Sequence, residues 1–438
     1  MINRALLAAS LAALSLGACD IFDKKKDPLP GERIAVFQDR RDIEPDRETA
    51  GLEVVLPTPQ VNDSWPQSGG YANYAMHHLA IGASPQIVWS ASVGAGSRSD
   101  RLLTTPPVVA EGRVFVKDAE GTVSAFNADT GQLIWRVVLT PEKARDADEF
   151  GGGLAYYGGR LFVTTGFAHV FSLDPADGKE VWRSTVSAPV RGAPNVFADR
   201  VFVVSIDNKL HALAAVDGSD LWNFSALQEV AGFVSASSPA ASGEIVVAPF
   251  SSGELVALRL DSGRPVWNEA LVGQRREARA FGNLADIRGR PVIDRGQVVA
   301  IGSAGQFAAI DLRSGQRAWE RGFGGNQTPW VAGRFLFIVT SSADVAAVNR
   351  ADGKVKWVTP LTQYEDAKMR RPVLWAGPVL AGDRLLIAGS TGDLVAISPY
   401  TGEVIGRLEV REPMRIAPVI ANQTIYVLTD YGRLIALR

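Results

Sequence analysis

The sequence predicts an all-β fold, an eight-bladed β-propeller of four-stranded antiparallel blades. Two observations predict it: one motif recurs seven times along the chain, and a strand–turn–strand pattern precedes the copies. The motif reads Ala, four residues, a short polar residue, Gly, three residues, Trp, as in residues 125–135. Four-stranded units that recur every roughly 40–50 residues are typical of propeller blades.

Each position of the motif has a physical reason. Ala on a strand leaves room for close packing, the polar residue and Gly suit a tight turn, and Trp can seal one repeat against the next. The Ala position is held by Ala125, Ala212, Ala257, Ala309, Ala347 and Ala396, and by Ser172 in one copy. The glycines are Gly131, Gly178, Gly218, Gly263, Gly315, Gly353 and Gly402. The tryptophans are Trp135, Trp182, Trp222, Trp267, Trp319 and Trp357, and the seventh copy has Gly406 instead.

The two ends of the chain together supply an eighth blade. The last segment reaches Ala436 and stops before its turn and its Trp, while an unassigned strand with Trp89 precedes the first copy. Pairing the N-terminal and C-terminal segments closes the ring and leaves no exposed sheet edge.

Composition sets broad limits. The 438-residue chain is 46% hydrophobic and 21% charged, which is ordinary for a globular protein, and its formal net charge is −2. Nothing in this balance favours nucleic-acid binding.

The N-terminus predicts a lipoprotein. Residues 1–18 combine a positive start at Arg4 with a short apolar run, as in a signal peptide, and small residues precede Cys19. Cys19 is the only cysteine and is the expected site of lipid attachment. Residues 19–64 are charged and contain several prolines, so we predict a largely disordered, lipid-anchored tether. The propeller is predicted over residues 65–438.

The repeat resembles that of the eight-bladed propellers of the pyrroloquinoline-quinone type, with their tryptophan-docking motifs. In quinoprotein dehydrogenases of this type the channel holds a quinone and a calcium ion, against a pair of adjacent cysteines. This sequence has only Cys19 and no recognisable calcium loop, so we expect neither cofactor nor metal.

No catalytic motif stands out. The histidines lack zinc-ligand spacing, and neither a nucleophile elbow nor a P-loop is present; the four are His77, His78, His169 and His211. We therefore expect a non-enzymatic interaction platform. Two alternatives stay open: a quinoprotein-like dehydrogenase, and a periplasmic ligand-binding or sensor propeller.

The signal, tether and propeller together resemble the BamB family, the lipoprotein scaffolds of outer-membrane β-barrel assembly. This resemblance implies a periplasmic location at the outer membrane, binding to a POTRA domain of BamA, association with other Bam subunits, and contact with nascent outer-membrane proteins. Asp20 follows the lipidated cysteine, which leaves retention at the inner membrane open.

The resemblance also implies the partner-binding residues. The family uses two neighbouring blade-leading loops, one with an apolar-Arg-Gly sequence and one with an Asp-x-Asp stretch. The matching residues here are Ala188, Val190, Arg191 and Gly192 in one loop, and Asp286, Ile287 and Arg288 in the other. Arg288 stands where the family has its second acid.

Arginines also recur before the proline that leads into several blades. Equivalent positions in a propeller lie on one face, so the sequence predicts a basic ring at one mouth of the channel. Its members are Arg191, Arg288, Arg290, Arg370, Arg371 and Arg415. Such a ring could attract an acidic partner segment.

Overall fold

The structure is a computed structural model that describes residues 43–139, 141, 151–227, 237–271, 287–303, 305–366 and 368–438. This part of the chain contains 32 strands and one short helix, α1 (Arg47–Ala50). The predicted signal peptide, Cys19 and Asp20 lie outside the described residues.

The strands form eight four-stranded sheets, which confirms the eight-bladed propeller. Blade 1 contains β2 (Val108–Ala110), β3 (Arg113–Lys117), β4 (Thr122–Asn127) and β5 (Leu133–Val138). Blade 2 contains β6 (Gly153–Tyr157), β7 (Arg160–Thr164), β8 (His169–Leu173) and β9 (Glu180–Thr185). Blade 3 contains β10 (Asn195–Phe197), β11 (Arg200–Ser205), β12 (Lys209–Ala214) and β13 (Asp220–Ser225). Blade 4 contains β14 (Ala240–Ser242), β15 (Ile245–Pro249), β16 (Glu254–Arg259) and β17 (Pro265–Ala270).

The second half of the ring follows the same order. Blade 5 contains β18 (Val292–Asp294), β19 (Gln297–Gly302), β20 (Gln306–Asp311) and β21 (Arg317–Arg321). Blade 6 contains β22 (Trp330–Ala332), β23 (Phe335–Val339), β24 (Asp344–Asn349) and β25 (Val355–Pro360). Blade 7 contains β26 (Trp375–Ala381), β27 (Arg384–Gly389), β28 (Asp393–Ile397) and β29 (Val404–Glu409). Blade 8 contains β30 (Val419–Ala421), β31 (Thr424–Leu428), β32 (Arg433–Leu437) and, from the other end of the chain, β1 (Ile87–Ser92).

Both termini build blade 8, as the sequence predicts. The strand β1 pairs antiparallel with β32, with Trp89 opposite Ala436. Hydrogen bonds between the backbones of Gln86 and Arg438 extend this pairing to the end of the chain. The ring is therefore closed by backbone hydrogen bonds rather than by loop contacts.

The strand order defines two faces. The first strand of each blade is innermost, because first strands of neighbouring blades contact one another around the channel. Strands alternate in direction, so the loops between blades share one side with the turns between second and third strands. We call this side the interblade face. The turns between third and fourth strands lie on the opposite side, the turn face.

The motif tryptophans join each blade to the next. In all seven cases the indole Nε1–H donates to a backbone carbonyl in the following blade, three residues after its Ala or Ser position. The acceptors are Ala128, Pro175, Ala215, Leu260, Leu312, Arg350 and Pro399, at 2.7–3.1 Å from the indole nitrogens of Trp89, Trp135, Trp182, Trp222, Trp267, Trp319 and Trp357.

The same rings lie on the motif glycines of the next blade. A Cβ atom on Gly315, for example, would stand 2.6 Å from Trp267 Cγ, and the φ of Gly315 is +74°. Only Gly fits there, since the position needs both a left-handed backbone and an empty surface for the indole. Within its own blade each Trp lies opposite the motif Ala or Ser, as Trp319 lies opposite Ala309.

A segment of the N-terminal region crosses the ring at the inner strands. Residues 62–79 hydrogen-bond in turn to the first strands of blades 8, 1, 2, 3, 4, 5, 6 and 7. The pairs are Asn62 with Ile420, Trp65 with Val109, Pro66 with Tyr156, Gln67 with Val196, Ala72 with Ala241, Asn73 with Ile293, His77 with Trp330 and Leu79 with Leu380. We call residues 62–79 the floor segment.

Residues 43–64, which the sequence assigns to the tether, instead pack on the propeller. Asp46 caps α1 and its N–H donates to Val355 O at 2.8 Å, while Ile43 and Val54 are buried. The carbonyl of Pro57 accepts from Nδ1 of His78 at 2.7 Å. The charged, proline-containing composition suggested disorder, but the few apolar side chains here find a surface on blade 6 and on the floor segment.

The docking of tryptophan on glycine can be tested within blade 5. Gly315→Ala should destabilise the protein more than Gly296→Ala, because both residues have nearly equal positive φ but a Cβ at Gly296 meets nothing within 4 Å. Backbone strain should cost each variant about 1 kcal/mol, and the clash with Trp267 should add about 1–3 kcal/mol for Gly315→Ala. Urea unfolding of both variants measures the difference, and equal losses would contradict the docking role.

Candidate functional site

The central channel forms a pocket of about 180 Å³. Its walls are the residues that lead into the first strands of the blades, and its floor is part of the floor segment, with Trp65, Ser68, Gly69 and Tyr74. Trp65 stacks on Trp330 with ring centroids 6.2 Å apart. Since the floor segment closes one end, the pocket opens toward the interblade face.

Four arginines line this pocket: Arg191, Arg288, Arg290 and Arg415. Arg415 pairs with Asp430 at 3.1 Å, and burial raises the pKa of the Asp430 carboxyl although Arg415 opposes the rise. Arg290 lies deeper, with its guanidinium carbon 5.8 Å from the centre of the Tyr74 ring. Burial lowers the pKa of Arg290. Four cations therefore meet in one cavity of a chain with a slightly negative net charge.

The remaining two arginines of the predicted basic ring lie elsewhere. Arg370 and Arg371 belong to an exposed loop in which Arg371 pairs with Glu365 at 3.2 Å and Asp366 at 3.4 Å, and they are not among the pocket-lining residues. These two arginines were assigned to the ring because the sequence at the start of blade 7 offers two similar prolines. The chain contains Pro-Val-Leu twice, and the innermost strand of blade 7 uses Pro378 rather than Pro372.

The loops matched to the family's partner contact enter blades 3 and 5, with blade 4 between them, so they are not neighbours. Val190 and Ile287 are buried, at 0% and 1% exposure, because each packs into a core cluster. Their side chains anchor the loops and cannot face a partner. Asp286 lies outside the described residues. Ala188, Arg191 and Arg288 are partly exposed, and Gly192 is buried.

Backbone contacts hold the blade 3 loop rigidly. The N–H of Gly152 donates to Arg191 O at 3.0 Å, and the N–H of Ile206 donates to Pro189 O at 2.9 Å. A Cβ on Gly151 would meet Arg191 Cα at 2.6 Å, so the two loop backbones lie in close contact. The loop therefore presents its exposed atoms in a fixed geometry.

Sequence reasoning missed Ile206, a 44% exposed apolar side chain beside this loop. It occupies the turn between the second and third strands of blade 3. A signal for it exists, because the equivalent turn positions in blades 4 to 7 are serines, namely Ser251, Ser303, Ser341 and Ser390. An apolar residue where four other blades have serine distinguishes this turn from theirs.

A second polar cluster lies between blades 2 and 3. Nε2 of His211 is 3.1 Å from both Ser187 Oγ and Ser205 Oγ, and both serine hydroxyls donate to Asp207. With their protons given to Asp207, the serine oxygens accept from Nε2–H of His211. A nucleophilic serine needs the reverse, donation to an unprotonated imidazole nitrogen. The cluster therefore lacks the arrangement of a hydrolase triad.

The described residues do not fit the calcium and quinone arrangement of the quinoprotein dehydrogenases. Calcium takes several oxygen ligands, chiefly carboxylates and carbonyls, whereas the described pocket lining carries four arginines and no carboxylate. Across the same described ranges, no group of three His, Cys, Asp or Glu side chains could hold a metal ion.

The buried imidazole of His211 gives a prediction about acid stability. Burial lowers the pKa of His211, although Asp207 and Asp220 oppose the shift. The unfolded chain therefore takes up this proton more readily than the folded one, and stability falls as the pH drops below about 6.5. His211→Gln should lose less unfolding free energy than the wild type between about pH 7 and about pH 5. Urea titrations at both pH values measure this, and an unchanged pH dependence would contradict it.

Within the described residues no helix is long and apolar enough to cross a membrane. The sequence profile of the family described as outer membrane protein assembly factor BamB matches residues 79–146, 119–359 and 364–438. A relative with that name from Moranella endobia is 25% identical over 393 residues, which span 88% of this chain and 94% of the relative.

Two solved structures share the fold. The crystal structure of BamB from Moraxella catarrhalis superposes with a TM-score of 0.67 and 17% identity, covering 81% of this chain and 100% of that one. The crystal structure of quinohemoprotein alcohol dehydrogenase from Comamonas testosteroni superposes with a TM-score of 0.66 and 14% identity, covering 86% of this chain and 80% of that one. Identities this low establish the architecture alone. The family assignment follows from the sequence profile, which spans nearly all of the propeller: the chain belongs to the BamB family of outer membrane protein assembly factors.

Proposed function

We propose that this chain is a non-enzymatic scaffold of outer-membrane β-barrel assembly, anchored by a lipid at Cys19 on the periplasmic face of the outer membrane. The observation that carries the proposal is the family match along almost the whole ring. The polar arrangement of the described residues supports it, because the His211 cluster lacks the arrangement of a hydrolase triad and the described channel lining lacks the oxygen ligands of a calcium site.

The partner surface that we propose is the interblade face around blade 3, and the partner is a POTRA domain of BamA. Arg191, Ala188 and Ile206 offer a cation and two apolar groups on a backbone that is already held in place. A preorganised loop loses little conformational entropy on binding, so its contacts contribute more to affinity. Arginine and exposed apolar side chains at the centre of a rigid patch are typical of binding hot spots.

The arginines at the mouth of the pocket also favour the interblade face as the partner surface. Arginines from blades 3, 5 and 8 are gathered around one opening, and a focused positive field attracts acidic segments over long range. Arg371 has two acidic neighbours and contributes less to this field. An acidic surface on the partner would therefore approach over the channel rather than over the loop of blade 7.

Charge reversal tests the partner surface. Arg191→Glu and Ile206→Ser should each weaken binding of the purified protein to the BamA POTRA domains about tenfold or more. Arg264→Glu, an exposed charge reversal on the turn face of blade 4, should leave the affinity unchanged. Titration calorimetry at low salt measures all three. Equal affinities for wild type, Arg191→Glu and Ile206→Ser would refute the assignment of this face.

Fractionation tests the anchor. Cys19→Ser should move the protein from the membrane fraction to the soluble periplasmic fraction, because the acyl chains that hold it can no longer be attached. Density separation of the two membranes then locates the wild type, and comparison with Asp20→Ser shows whether Asp20 affects sorting. A Cys19→Ser protein that stays in the membranes after residues 1–18 have been removed would exclude lipid anchoring through this residue.

A further inference from the structure

The pocket at the centre of the ring has a composition that partner binding at the loops does not explain. Residues from different blades bring Arg191, Arg288, Arg290 and Arg415 to its wall. No carboxylate is found in the part of its lining that the structure describes, and Asp430, which pairs with Arg415, is not among the lining residues. Guanidinium groups brought together from three blades make one cavity attractive to an anion.

Two buried nitrogen donors at the base of this pocket lack a hydrogen-bond partner. Nε of Arg290 is buried without a hydrogen bond, and so is the indole Nε1–H of Trp65, a residue that is only 3% exposed. The nine other tryptophans of the chain all donate their indole N–H to a backbone carbonyl, which makes Trp65 an exception. A buried donor without an acceptor costs about as much as a lost hydrogen bond.

The rest of the base is suited to hold a small polar ligand. Arg290 lies over the Tyr74 ring and its Nη1 is 3.4 Å from Thr328 Oγ1, so its guanidinium is held from two sides. Ser68, Ser237 and Ser238 add short polar side chains to the lining. Pockets for drug-sized ligands occupy roughly 300–1,000 Å³, so a cavity of about 180 Å³ suits a smaller molecule.

We infer that the channel is a binding site for a small oxyanion, a phosphate or carboxylate group, seated above Trp65 and held by the guanidinium of Arg290 with Arg191, Arg288 and Arg415 around the opening. Guanidinium groups match the planar oxygen pairs of carboxylates and phosphates and bind them through charge-assisted hydrogen bonds. The floor segment blocks passage through the ring, so the ligand enters and leaves on the interblade face. This site does not depend on the proposed scaffold role.

Binding is tested with the full-length protein and inorganic phosphate or citrate, against chloride at equal ionic strength. Titration calorimetry and tryptophan fluorescence, to which Trp65 and Trp330 contribute, should show saturable binding of one oxyanion per chain. Arg290→Gln should weaken that binding about tenfold or more, since it removes a charged hydrogen-bond donor. Arg191→Gln is the second variant, and it decides the outcome if Arg290→Gln does not fold.

The matched control is Arg371→Gln, which removes one positive charge from the same face but outside the pocket. It should bind the oxyanion as the wild type does. Vesicles of phosphatidylcholine with and without phosphatidylglycerol, offered to the Cys19→Ser protein so that no acyl chain of its own inserts, separate the sources of the phosphate. Capture that needs both phosphatidylglycerol and Arg290 indicates a lipid headgroup, and binding of free phosphate alone indicates a soluble ligand. No saturable binding above chloride, or equal weakening in Arg371→Gln, would overturn the inference.

Discussion

The contact between an indole ring and the glycine of the next blade is the constraint on which the ring depends. It combines a buried aromatic surface, a donated hydrogen bond and a backbone conformation that other residues rarely adopt. Seven junctions repeat it at nearly constant geometry. At the junction from blade 7 to blade 8, Gly406 stands in place of the tryptophan, and no motif turn joins β32 to β1, the third and fourth strands of blade 8, so both halves of the pair are missing together. Constant spacing between blades is what brings residues from separate loops to one channel.

The repeating part of the fold could be predicted from the sequence because each blade carries its own complete signal. Closure of the ring by the two termini could be predicted as well, because Trp89 and Ala436 are the two halves of one interrupted motif. The floor segment could not be predicted. Its hydrogen bonds, such as those between Gln67 and Val196, run to backbone groups of distant strands, and backbone groups leave no trace in the side-chain pattern.

The candidate site was predictable only as far as repeat positions were correctly aligned. Arg191, Arg288 and Arg415 all stand three residues before the proline that opens an innermost strand, so their convergence follows from the symmetry of the ring. The prediction failed for blade 7 because the loop before its first strand contains a second proline, Pro372, in the same Pro-Val-Leu sequence as Pro378. Burial separated Val190 and Ile287 from their exposed neighbours, and burial depends on packing that a loop sequence does not reveal.

The floor segment also has a consequence for folding kinetics. It is synthesised before any blade, yet its contacts include the innermost strands of blades 7 and 8, which are synthesised last. The floor segment therefore cannot form all of its hydrogen bonds until the whole chain has been synthesised. The same holds for β1, which pairs with β32. Contacts between such distant residues make folding slow and leave unpaired strand edges exposed meanwhile. We expect the last step to be a single cooperative one, in which the ring closes and its core becomes inaccessible to proteases and chaperones at the same moment.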